Sequence, residues 1–319
     1  MARAPLLLVC AAFVAACSPS ITPSPPLGTI GPESPIPSVV ASRPTPTPTP
    51  SASAIAILGH ADLFAQTEVI YQGMSDVFTI TGYGNDQPIQ LQLPIEAVTV
   101  DFGDGVTATA SDGCASAKPV TLTHQYTRSG SFSVTVRSAS LCGATSTPSD
   151  SASVVVLPAA PANSTSWSTC STYQLTMSGY VRGFGAGNGG AIATVRNVSS
   201  SPCWLEGYPD VVLFGKTGAA LPRRVERAPD GAYLFPAIPL GRVALRPSES
   251  ASFQIAFTDN PVGPLASAAY DVACPPASAE RIVLPSGQYG TAHFPFAPCG
   301  GWMSVTPFFP GSSWIGFQG

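Results

Sequence analysis

Between about Ala54 and Leu157 the chain alternates apolar and polar residues in short runs. Val77-Phe-Thr-Ile-Thr81, Ile89-Gln-Leu-Gln-Leu93, Val98-Thr-Val100, Phe132-Ser-Val-Thr-Val136 and Ala152-Ser-Val-Val-Val156 are rich in β-branched residues and are separated by Gly, Asp and Pro. Successive side chains of a strand point to opposite faces, so Phe132, Val134 and Val136 share an apolar face while Ser133, Thr135 and Arg137 look outward. Period-two patterning at this spacing, with no helix-period segment of comparable length, predicts a sandwich of short strands. After Pro158-Ala-Ala-Pro161, which reads as a hinge, a second patterned region runs from about residue 164 to 310. Its run Ala191-Ile-Ala-Thr-Val-Arg-Asn197 also alternates like a strand. The expected fold class is all-β: two β-sandwich domains, 54–157 and 164–310, with a tail at 311–319.

The alternation is missing before residue 54. Ser18 to Ser53 is mostly Pro, Ser, Thr and Ala, culminating in Pro44-Thr-Pro-Thr-Pro-Thr-Pro50, a composition that buries no core and favours polyproline II. Some 36 residues at about 3.1 Å each reach on the order of 100 Å when extended, so 17–53 is expected to be a disordered stand-off linker. Ahead of it, Arg3, the apolar run Leu6 to Ala16 and Val14-Ala15-Ala16-Cys17 have the layout of an export signal with a small-residue cleavage site. Eleven residues rise only about 16 Å as a helix, roughly half of a ~30 Å hydrocarbon core, which disfavours a stable span. The site resembles the bacterial lipobox. That resemblance implies a signal peptide at 1–16, removed on export, and diacylglycerol on the Cys17 thiol, which anchors the mature chain on the extracytoplasmic face of a membrane.

Composition narrows the partners. Of the 319 residues 10% are charged and 45% hydrophobic, which excludes disorder of the whole chain. The net charge is −4 and no Lys/Arg cluster is present to neutralise a phosphate backbone, so nucleic acid is not an expected partner. Setting aside Cys10 and Cys17 leaves six cysteines, an even number in an exported chain, as disulfides require. Six allow fifteen pairings. Placing two in the first module and four in the second makes neighbour pairing simplest: Cys114 with Cys142, Cys170 with Cys203, Cys274 with Cys299. No Cys-x-x-Cys or Cys/His spacing suggests zinc.

Val98-Thr-Val-Asp-Phe-Gly-Asp-Gly105, followed by His124-Gln-Tyr-Thr-Arg-Ser-Gly-Ser-Phe-Ser-Val-Thr-Val136, resembles the polycystic kidney disease (PKD) domain. The resemblance implies an Ig-like sandwich whose structural motif is carried by Asp101, Phe102, Gly103, Asp104, Gly105, His124, Tyr126 and Gly130. Val100 stands where a tryptophan is usual, and Cys114 lies in an insertion between the two halves of the motif. In the second region, Cys170-Ser-Thr-Tyr-Gln-Leu175, the Gly-rich stretch 183–190 and Cys203-Trp-Leu-Glu-Gly-Tyr-Pro-Asp-Val-Val-Leu213 resemble the secreted family called domain of unknown function 4232. The likeness runs on through Cys274, Cys299 and Val305-Thr-Pro307; it implies a β-sandwich and no assigned activity.

Candidate chemistry is sparse. Asp101 and Asp104 offer hard oxygens for calcium, but two carboxylates fall short of a full shell; a tight turn with glycines at positive φ and the aspartates on neighbouring amides fits better. Gly185, Gly187 and Gly190 satisfy Gly-x-Gly-x-x-Gly, yet a strand follows where a dinucleotide site needs a helix, so a hairpin turn is expected. His-Glu-x-x-His, Gly-x-Ser-x-Gly and Ser-x-x-Lys do not occur, and neither enzymatic activity, cofactor nor metal is expected. Aromatics are the better lead, since exposed rings stack on sugars and anchor partners. Trp302, Trp314 and Phe317 are the candidate ligand-binding residues, with Trp314 and Phe317 expected to be the exposed pair, and Trp204 to pack on a disulfide. The expected function is display of non-catalytic binding modules for envelope polymer, glycan or protein; an envelope enzyme with an unrecognised site, or a structural spacer, are the alternatives.

Overall fold

The computed structural model describes residues 57–84, 91–147, 150–185, 187–261 and 263–316; the expected signal at 1–16, Cys17, the Pro-rich segment and Phe317 lie outside the described residues. The described chain is almost entirely β, with one four-residue α-helix, Tyr270–Ala273.

The first sandwich follows from the alternation. Gly130–Leu141 is its organising strand, pairing antiparallel with Ser151–Leu157 on one side and with Ile95–Asp101 on the other. Thr107–Ala110 extends that layer beside Ile95–Asp101, and Val69–Tyr71 adds a parallel edge to Ser151–Leu157. The opposing layer is built on Ser75–Gly84, which pairs with Ile57–Ala65, Leu91–Leu93 and Val120–Gln125. Phe132, Val134 and Val136 enter the core between the layers with Phe78, Ile80, Val98, Val100, Phe102 and Tyr126. The Cys114–Cys142 disulfide ties the insertion to the end of the organising strand.

The second sandwich sets a six-stranded sheet against two three-stranded ones. The large sheet runs Leu175–Gly185, Asn188–Asn197, Ser250–Thr258, Trp302–Val305 and Arg224–Arg227, with Phe309–Pro310 also pairing with Ser250–Thr258. Opposite it lie Asp210–Phe214, Ala279–Val283 and Tyr289–Ala292, and Ser168–Thr169, Cys203–Leu205 and Val243–Leu245. Strand alternation sends Ala191, Ala193, Val195, Phe253, Ile255, Phe257, Met303 and Val305 inward to one core. Disulfides join Cys170 to Cys203 inside this core and Cys274 to Cys299 at its end. The Gly-rich stretch is the expected hairpin, with Gly187 at φ +81° and Gly185 paired to Asn188 across the turn.

Residues Ala54–Gly319 form one compact unit. Val69, Tyr71 and Leu157 of the first sandwich share an apolar cluster with Ile192, Ile238, Phe309 and Ile315 of the second. Gly241 is tailored to this junction, for a Cβ there would stand 2.5 Å from the Tyr71 ring. The Tyr71 hydroxyl is buried without a hydrogen-bond partner, and burial, helped by Glu206, pushes its pKa up to about 12. Bending at Pro158–Pro161 would have to separate this cluster.

Candidate ligand-binding site

The Asp-Phe-Gly-Asp-Gly segment is a turn whose acids are consumed locally. Gly103 N–H donates to Asp101 Oδ1 at 2.8 Å, and Val106 N–H to Asp104 Oδ1 at 3.1 Å. Gly103 and Gly105 sit at φ +78° and +95°, conformations that favour glycine. The second oxygen of Asp101 takes an ion pair from Arg137, and that bond, followed by the Gly103 amide, holds the carboxyl below its ordinary pKa. The second oxygen of Asp104 is 2.8 Å from His124 Nε2. His124 stacks on Phe102 with centroids 4.1 Å apart and meets Tyr126 edge-on at 4.6 Å. Tyr126 is fully buried, its hydroxyl donating to the Phe102 carbonyl at 3.2 Å, and burial raises its pKa. With its carboxylate oxygens already engaged, this turn has the bonding of a structural corner. Among the described residues no group of three or more His, Cys, Asp or Glu is placed to hold a metal ion.

A better-shaped site lies on the outer face of the six-stranded sheet. One half of that face is covered. Ser252 Oγ donates to the Gly311 carbonyl at 2.8 Å, Gln254 Nε2 donates to the Ile315 carbonyl at 2.6 Å, and Ile192 enters the cluster at the junction. The other half, with Asn188, Ala256, Thr258 and Ser304, forms the floor of an open groove of about 310 Å³ bordered by Trp302 and Tyr233. Trp302 is 44% exposed and Tyr233 66% exposed.

Both rings are presented by constrained backbone. Trp302 follows Cys299–Gly301, a turn fastened by the Cys274 disulfide, with Gly300 and Gly301 at φ +62° and +71°. A Cβ on Gly301 would collide with the Pro222 carbonyl, so this approach requires glycine. Parallel pairing places Arg224 beside Trp302, and its guanidinium lies 4.2 Å from the indole centroid while pairing with Glu226 at 2.8 Å. Tyr233 stands in a segment pinned by Phe235, which is fully buried with its ring edge-on to Trp314.

Trp302, a candidate from the sequence, lines this groove, whereas Trp314, expected to be exposed, is half-buried: it is fitted into space left by Gly190 and packed against the junction cluster, with Arg182 over its ring at 5.4 Å. Trp204 differs too. Alternation buries Cys203 and leaves Trp204 on the other face, where Arg242 covers it at 4.2 Å and its Nε1–H donates to the Trp167 carbonyl. Tyr233 was missed, because nothing in Gly231-Ala-Tyr-Leu-Phe-Pro236 distinguishes an exposed ring from the buried Phe235 two residues later.

Fold and groove together define a disulfide-braced β-sandwich protein with an aromatic-bordered cleft on one sheet. Residues 170–308 match the family Domain of unknown function (DUF4232), which covers the whole of that groove. No curated protein matches the chain. Among solved structures the adhesin InvE of Yersinia pseudotuberculosis aligns with 74% of this chain and 58% of its own, at 11% identity and a TM-score of 0.18. The chain thus spans less than two thirds of that structure. Among the described residues no helix is long and apolar enough to cross a membrane.

Proposed function

We propose that the protein is a non-catalytic, lipid-anchored component of the cell envelope whose sandwiches bind an envelope constituent. The observation that carries the binding role is the pair of exposed rings, Trp302 and Tyr233, held by constrained backbone and lining one groove. Aromatic side chains held on rigid elements are the groups that anchor ligands and partners. The anchor rests on the lipobox-like Val14-Ala15-Ala16-Cys17, and the stand-off on the Pro-rich segment after it. The first sandwich, with its turn at Asp101–Gly105 and the His124–Asp104 bond, is read as a PKD-like spacer that stiffens the display.

Two measurements test this. Native protein is expected in the detergent phase of a partition, with an intact mass lacking residues 1–16 and carrying acyl chains; recovery in the aqueous phase at full unmodified mass sinks the anchor. Purified protein is expected to be retained on isolated envelope, with Trp302→Ala releasing it. Equal retention of the variant removes the groove from the binding role.

A further inference from the structure

The groove's chemistry narrows what it holds. The residues that line it, Trp302, Tyr233, Asn188, Thr258 and Ser304 among them, include no ionised side chain. Arg224, beside Trp302, is already committed to that ring and to Glu226, so the pair is close to neutral. A phosphate-bearing polymer gains nothing here, since its affinity comes from matched positive charge. A protein strand gains little as well: the groove lies on the face of the sheet, where backbone groups are already paired across Ser250–Thr258 and Trp302–Val305, and β-strand addition needs an open edge. What remains complementary is a ligand with flat apolar C–H faces and uncharged hydroxyls at its rim. The faces stack on indole and phenol rings, and the hydroxyls meet the Ser304 hydroxyl and the lone pairs of the Thr258 oxygen, whose proton is directed at the Gly187 carbonyl.

We propose, resting on the binding role above, that the groove between Trp302 and Tyr233 binds an uncharged polysaccharide chain. The covered half of the sheet sets one wall of the site, because Trp314 and the segment Gly311–Ile315 stand where the chain would otherwise continue. At about 310 Å³ the groove matches the lower end of small-ligand sites, so it grips a short stretch of polymer through an open cleft. Arg224 is a positioning residue: stacked on the indole and tied to Glu226, it fixes the ring plane against which the sugar lies.

The test uses the oxidised protein and walls isolated from the producing cell, divided into four portions. One is untreated, one is oxidised with periodate to cleave sugar vicinal diols, one is stripped of phosphodiester-linked polymers with hydrofluoric acid, and one is digested with protease. Retention is expected on untreated, acid-stripped and protease-treated walls and is expected to vanish after periodate. Trp302→Ala and Tyr233→Ala should each weaken retention about tenfold, the size of one lost aromatic anchor. Trp302→Phe, which keeps a ring and guards against a folding artefact, should restore most of it. Retention that survives periodate, or is lost with the phosphodiester polymers or with protease, overturns the assignment to uncharged glycan while leaving a binding role intact. Absence of retention on untreated walls overturns the binding role itself.

Discussion

Glu280 provides a quantitative test of the second sandwich. It lies on the inner side of Ala279–Val283, wholly buried, between Leu213 and Ala292 of the neighbouring strands. Its Oε2 accepts the Phe294 N–H at 3.1 Å, and its Oε1 has no hydrogen-bond partner. Burial raises its pKa from an ordinary 4.5 to about 7, outweighing the Phe294 bond and the pull of His293 in the other direction. Below about pH 4.5 folded and unfolded chains both hold the proton, and the site costs nothing. Between there and about pH 7 the unfolded chain releases its proton while the folded chain keeps it, so the stability present at low pH is lost as pH rises. The shift corresponds to on the order of 3 kcal/mol. Glu280→Gln removes the titration. Urea unfolding of the oxidised protein and the variant, from about pH 4.5 to about pH 8, should show the variant gaining about 3 kcal/mol on the parent across that range. Other carboxylates cancel in the difference, and any fixed effect of the amide offsets the curve without tilting it. A difference that stays flat with pH would refute the reasoning, for it would mean that Glu280 is solvated in the folded chain.

Three further outcomes follow from the geometry. Asp76, buried in the first sandwich, accepts from the Thr67 amide and hydroxyl and from its neighbour's amide at Val77, so Asp76→Ala should cost about 2 to 3 kcal/mol in urea unfolding at neutral pH. Gly103→Ala places a Cβ 2.6 Å from the Ser133 carbonyl oxygen at φ +78°; a loss of about 1 to 3 kcal/mol is expected, and an unchanged denaturation midpoint argues against the close approach. Gly241→Val drives a side chain into the Tyr71 ring, which should loosen the junction and speed proteolysis at Pro158–Pro161 while each sandwich keeps its far-ultraviolet spectrum. Cleavage at the parent rate would show that the cluster does not restrain that segment.

The sequence by itself determined the local chemistry. Period-two runs placed strands, because alternation across a pleated backbone is a local property, and Phe132, Val134 and Val136 are inside with Ser133 and Arg137 outside. Glycines marked the turns at Gly103, Gly105 and Gly187, since a positive φ is a demand on a single residue. An even cysteine count called for disulfides, and three form among the described residues. Tertiary structure alone decided which outward faces stay in water. Trp302 and Trp314 look alike in sequence, yet one borders an open groove and the other is half-covered because residues 311–316 fold back over Gly190 and Gln254. Glu280, a carboxylate, shares the inner face of its strand with Ile282, and only the strands packed around it decide that this face is closed to water. Alternation tells that a strand has two faces; what lies against each one depends on residues a hundred positions away, and the groove exists only where that covering stops.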